Sequence, residues 1–149
     1  MATLIGIAVR PKKTRDINEL GSVEISKTDG VAGDKRSRPG KRQVTLMSKN
    51  AWDIACRELN IDLPWTVRRA NLLVDDLPLK ETTGQFILCG DLVLEITGET
   101  DPCKLMETTQ PGLLKALIPD WRGGVTCRVL QGGTLTIGMD ATLSKTAQI

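Results

Sequence analysis

The sequence has 149 residues, a formal net charge of +2, 40% hydrophobic and 26% charged side chains, and no histidine. That is chain enough for one domain that buries about two-thirds of its unfolded surface without a disulfide or metal staple. The charge is too small to imply a polyanion partner, no run approaches a membrane span, and the absence of histidine removes the commonest general base and metal ligand.

In chain order, the apolar run Leu4 to Val9 reads as a strand, and residues 10–19 read as a polar, basic loop. Val23 and Ile25 alternate with polar neighbours and mark a second strand. Residues 29–42, with Gly30, Gly33, Pro39 and Gly40 among charges, read as a long loop of the kind that often carries function. Gln43 to Met47 is strand-like. Ser48 then caps a helix from Lys49 to Leu59 with Trp52, Ala55, Cys56 and Leu59 on one face, ended by Asn60 and Pro64. Leu72 to Val74 is a short strand. Phe86 to Cys89 and Leu92 to Thr97 read as two strands joined at Gly90 and Asp91.

Residues 103–108 suit one or two helical turns. Pro111 opens a second helix, Gly112 to Ile118, which Pro119 stops. Gly124 to Leu130 and Thr134 to Ile137, joined by Gly132 and Gly133, read as a hairpin, and Ala141 to Leu143 as a last strand. Roughly seven or eight closely spaced strands and two or three short helices argue for a mostly β fold of the α+β kind, a β-barrel with inserted helices. They argue against a doubly wound parallel sheet.

The four cysteines form no Cys-x-x-Cys pair, so a structural zinc is not expected. The first apolar run is too short for a signal peptide and its charges follow it. The chain therefore reads as cytoplasmic, with reduced thiols. Cys56 and Cys127 sit on apolar faces and read as core filler; Cys89 ends an apolar strand and is read the same way. Cys103 differs. It follows Thr100, Asp101 and Pro102, which are cap and first-turn residue types, and Lys104 stands next to it. A thiol in a helix's first turn is shifted toward thiolate, the nucleophilic and metal-binding form. The same features also fit a thiol that packs under the turn.

Gly33 to Arg42 holds Lys35, Arg36, Arg38, Lys41 and Arg42 between glycines, a pattern that suits phosphate and equally suits a solvated basic loop. Few aromatics and no duplex-reading motif argue against nucleic acid. Arg68 and Arg69 make a second basic point, and Arg122 with Arg128 a third. If these converge, they form a pocket for an anionic small molecule beside a thiolate.

Four segments, taken in order, resemble the MOSC domain, named after the C-terminal domain of molybdenum cofactor sulfurases. They are Gly33-Asp34-Lys35-Arg36 with Arg42 to Leu46; Arg68 to Leu72; Thr97 to Cys103 with Pro111-Gly112-Leu113; and Arg122-Gly123-Gly124 with Arg128 to Gly133 and Gly138-Met139-Asp140. The resemblance covers about residues 18–144 of a single domain, 1–149. It implies a MOSC-type β-barrel and a small standalone protein that binds molybdenum cofactor (molybdopterin) or carries sulfur for metal-sulfur cofactor assembly. Cys103 falls on the family's cysteine and would bear the sulfur or ligate molybdenum. Arg36, Arg38, Arg42, Arg69, Asn71 and Arg128 would hold the pterin phosphate. The chain lacks the pyridoxal-phosphate desulfurase domain of the large sulfurases, so a cysteine desulfurase or other donor would have to supply the sulfur. An alternative is a molybdenum-dependent reductase of N-hydroxylated compounds, served by separate electron-transfer proteins. A third reading is an interaction module without chemistry.

Overall fold

A computed structural model describes residues 2–11, 16–35, 37–100 and 104–147. The strands, in chain order, are β1 (Ala2–Val9), β2 (Asn18–Glu19), β3 (Ser22–Ser26), β4 (Gly30–Val31), β5 (Val44–Ser48), β6 (Leu72–Val74), β7 (Phe86–Cys89), β8 (Leu92–Glu99), β9 (Val125–Gln131), β10 (Gly133–Thr136) and β11 (Asp140–Ser144). The helices are α1 (Lys49–Glu58), α2 (Lys104–Thr109) and α3 (Leu113–Leu117), with single 3₁₀ turns at Trp65–Arg68 and Pro119–Trp121.

Seven strands close a ring in the order β1, β11, β7, β8, β9, β5, β6. All neighbours are antiparallel except β5 and β6, which run parallel because α1 carries the chain across between them. Period-two alternation fills the interior. Leu94 and Ile96 of β8, Val125, Cys127 and Val129 of β9, and Val44 and Leu46 of β5 all point inward and are buried. On β1 a bulge between Leu4 and Gly6 resets the alternation, so Ala2, Leu4, Ile7 and Val9 all join the interior.

A second cluster lies outside the barrel wall. Met47 and Leu73 face outward, and Trp52, Ala55 and Cys56 of α1 with Leu113, Ala116 and Leu117 of α3 cover them. Each such large side chain is worth about 2 kcal/mol of burial. The face expected of α1 is the buried one, with Leu59 at its margin. Ser48 stands at its N-cap, but its hydroxyl makes no cap bond and lies 3.5 Å from the Asp75 carbonyl.

The hairpin expected between β9 and β10 does not form. β9 pairs with β5 on one side and β8 on the other, so it has no free edge. The chain turns at Gly132 and β10 instead joins β3, Thr136 opposite Ser22 through Gly133 opposite Ile25, in a separate sheet ordered β10, β3, β4. Among the described residues no helix is long and apolar enough to cross a membrane.

Candidate functional site

The small sheet carries the basic loop, and three buried polar side chains pin that loop down. Asp34, its side chain 1% exposed, accepts the Arg10 backbone N–H at 2.8 Å and pairs with the Arg10 guanidinium at 3.2 and 3.3 Å. The Ser37 hydroxyl accepts from Val31 N–H and donates to the Gln43 carbonyl, each at 2.6 Å. Glycine at position 30 makes room for it, since a Cβ there would lie 1.9 Å from Ser37 Oγ. The Gln43 amide donates to the Lys27 carbonyl and accepts from Val129 N–H, tying the small sheet to the barrel. With these residues turned inward, Lys35 and Arg38 are left to face outward.

Two adjoining clefts open beside this loop and share Lys35. One, of about 600 Å³, is lined by Lys35, Arg38, Asp29 and Gly33. The other, of about 450 Å³, is lined by Lys35, Arg69, Ile17, Val67, Leu105 and Thr109 among others. Both volumes are in the range of small-molecule sites.

The adjacent arginines 68 and 69 part company at the end of their 3₁₀ turn. Arg69 takes the left-handed conformation, φ 67° and ψ 28°, at a cost of about 1 kcal/mol for a side-chain-bearing residue. Arg69 then lines the cleft, while Arg68 is 7% exposed and donates Nη2–H to the Thr100 carbonyl at 3.4 Å. Thr100 N–H donates in turn to the Gly124 carbonyl at 2.9 Å. The Thr100 hydroxyl is buried without a hydrogen-bond partner among the described residues. Chain leaving Thr100 therefore starts from a fixed point and re-enters at α2, whose Leu105 and Thr109 line the Arg69 cleft.

Cys103 and Arg36 lie outside the described residues. Of the other residues expected at the site, Arg38 and Arg69 line the two clefts joined by Lys35. Arg42 is exposed and lines neither. Arg128 projects from the outer face of β9, with its guanidinium 3.7 Å from the Glu95 carboxylate across the strands. Asn71 is 2% exposed. Its Oδ1 accepts from Thr45 N–H and hydroxyl, and its Nδ2 donates to the Ala8 carbonyl, so it knits three strands together. Arg122 turns to the helical layer, donating to the Ala116 carbonyl and pairing with Glu58, both at 2.9 Å. Lys35 and Arg68 belong to the basic segments read from the sequence but were not among the residues expected at the site, and Leu105 carried no signal.

The three described thiols are buried and unpaired in disulfides. Burial pushes all three upward, Cys89 to about 11 with help from the Asp140 charge. Among the described residues no cluster of Cys, Asp and Glu could hold a metal ion. Lys35, Arg38 and Arg69 bring ammonium and guanidinium groups to the clefts, groups of the kind that bind anions, and Asp29 and Asp34 line the first cleft with them.

The family model for the MOSC domain matches residues 26–142. This chain belongs to the MOSC family. Solved structures share the fold. YuaD from Bacillus subtilis has a TM-score of 0.77 at 20% identity, over 95% of this chain and 94% of its own. YiiM from Geobacillus stearothermophilus gives 0.74 at 17%, over 96% and 75%. YiiM from Escherichia coli gives 0.67 at 16%, over 100% and 71%. At these identities the likeness is one of fold. No curated protein matches the sequence. In this MOSC domain the barrel end that carries Lys35, Arg69 and Thr100 is where elements far apart in sequence meet.

Proposed function

We propose that this MOSC domain binds the phosphate-bearing pterin of the molybdenum cofactor, or carries sulfur for its assembly, through Cys103. The observation that supports the reading is the cationic cleft of Lys35 and Arg69, whose wall includes α2, the helix beginning one residue after Cys103 in the chain. The residues present fit such a group. Lys35 and Arg69 would hold the phosphate, with Arg38 in the adjoining cleft. When bound, the cofactor would supply redox chemistry at molybdenum. α2 has only six residues, so its dipole adds little beyond the first-turn N–H groups to any activation of the thiol.

As a sulfur carrier, the Cys103 thiolate would attack the outer sulfur of a donor persulfide, such as that of a cysteine desulfurase. The donor's S–S bond breaks as the new one forms, and the donor leaves as its thiolate, so no external oxidant or reductant is needed. We take the site of action to be the cytoplasm, where thiols stay reduced.

The test is intact mass after incubation with a cysteine desulfurase and cysteine, together with molybdenum and pterin analysis of the protein as purified. The expected result is one added sulfur atom or bound cofactor, either of which is lost in Cys103→Ser. The buried Cys56, Cys89 and Cys127 should stay unmodified. Protein that gains no sulfur and holds neither molybdenum nor pterin would refute the proposal. Bound molybdenum without sulfur uptake would favour the reductase.

A further inference from the structure

We propose that Met139 is a site of reversible oxidation, at which a peroxide converts the thioether to a sulfoxide and so loosens the β1–β11 pairing that closes the ring.

Of the described methionines, Met47 is fully buried and Met106 is 1% exposed, whereas Met139 stands half-buried in the turn between β10 and β11. Peroxide in solvent reaches Met139 with no opening of the fold and reaches the other two only through one. The residue ties several elements together. Its sulfur accepts the Thr136 N–H at 3.1 Å, and its own N–H donates to the Thr136 carbonyl at 3.1 Å, so both backbone groups of the last β10 residue are spent on it. Its methyl fills the space over Gly90, where a Cβ would lie 2.5 Å from Cε, and this locks the turn against the one between β7 and β8. Its carbonyl accepts the Leu4 N–H, and Gly138 N–H donates to the Leu4 carbonyl, both at 2.8 Å. The next residue along, Asp140, pairs with Thr3 in the closing β1–β11 contact.

In the reaction the O–O bond breaks, one oxygen bonds to sulfur, and the other leaves as water when the peroxide is hydrogen peroxide. Sulfur gives up two electrons and the peroxide takes them. The new oxygen adds bulk and a dipole to a side chain that packs on the barrel core between Gly90 and Thr136. The side chain must then leave its place, which releases the Thr136 N–H and slackens the backbone that holds Leu4.

The full chain is treated with hydrogen peroxide, then with dithiothreitol to return sulfenic acids and disulfides to thiols, and is mapped by peptide mass spectrometry. Met139 should gain an oxygen roughly tenfold faster than Met47 and Met106. Tm should fall by about 5 °C. Methionine sulfoxide reductases A and B with a dithiol should restore it, the oxygen leaving as water and the dithiol becoming a disulfide. Met139→Leu should keep its own Tm through the peroxide step. Equal oxidation of the three methionines would overturn the inference, as would a wild-type Tm that moves by less than about 1 °C once Met139 is oxidised. A loss that the reductases do not reverse, or one that Met139→Leu shares, would overturn it too. If Met139→Leu does not fold, the reductase step on the wild-type chain decides.

Discussion

Replacing Asp34 with alanine tests how the basic loop is held. The side chain makes three bonds, to the Arg10 N–H at 2.8 Å and to the Arg10 guanidinium at 3.2 and 3.3 Å, with Arg10 itself only 9% exposed along its side chain. Removing the carboxylate strands a buried guanidinium and leaves a backbone donor without its acceptor. Breaking one side of a buried pair costs about 3 kcal/mol, more than the pair contributes when both partners are replaced. In a domain of this size each kcal/mol moves Tm by about 3 °C, so Tm should fall by about 10 °C. Lys35 donates its own N–H to the Arg10 carbonyl at 2.8 Å, so the loosened loop should also bind phosphate less tightly. Thermal melts of Asp34→Ala, Arg10→Met and the double variant form a cycle. The double variant should lose less than the sum of the singles, because no lone charge remains. A fall of under about 3 °C for Asp34→Ala, or strict additivity, would show that the pair does not hold the loop.

Two glycines with similar backbone should behave differently. Gly124 has φ +95° and a Cβ there would lie 2.3 Å from the Leu46 carbonyl oxygen, backbone that cannot yield, so Gly124→Ala should cost about 4 kcal/mol and sharply reduce soluble yield. Gly33 has φ +83° but open space around it, so Gly33→Ala should cost about 1 kcal/mol, read by urea denaturation. A third expectation concerns alkaline pH. Burial raises the Cys89 thiol from its ordinary 9.0 to about 11, so the folded state keeps a proton that the unfolded chain releases. Stability should therefore be intact below pH 9 and fall as the pH climbs from there to about 11, and Cys89→Ala should flatten that decline in urea titrations run across the range.

What the sequence made legible was whatever a local pattern encodes. Alternation in Val23 and Ile25, the helical spacing of Trp52, Ala55 and Cys56, and the turn at Gly90 and Asp91 each became the element expected. The fate of β10 was not legible, because a Gly-Gly turn says nothing about which edges of β9 are already taken. Arg68 and Arg69 look alike in sequence. Their separation depends on a left-handed arginine, whereas the usual signal for that conformation is glycine or asparagine. Asn71 reads as a binding residue because it is polar within a basic motif. Its burial arises from the parallel β5–β6 pair, which brings Thr45 onto it. The meeting of Lys35 with Arg69 in one cleft lay beyond any spacing rule, since their loops approach only once the ring of strands exists.

That ring has a seam. Ala2 and Thr3 of β1 pair with Ala141 and Asp140 of β11, so β1 is completed by a strand nearly 140 residues further along the chain. Until β11 is in place, β1 and β7 each present a row of unpaired backbone groups, the kind of edge that captures other chains. Closing the seam does two things at once. It removes both edges, and it closes the ring at the opposite end of β1 from Arg10, whose carbonyl holds Lys35. Damage to this joint should therefore surface as aggregation of newly made chains before it surfaces as loss of binding by folded ones.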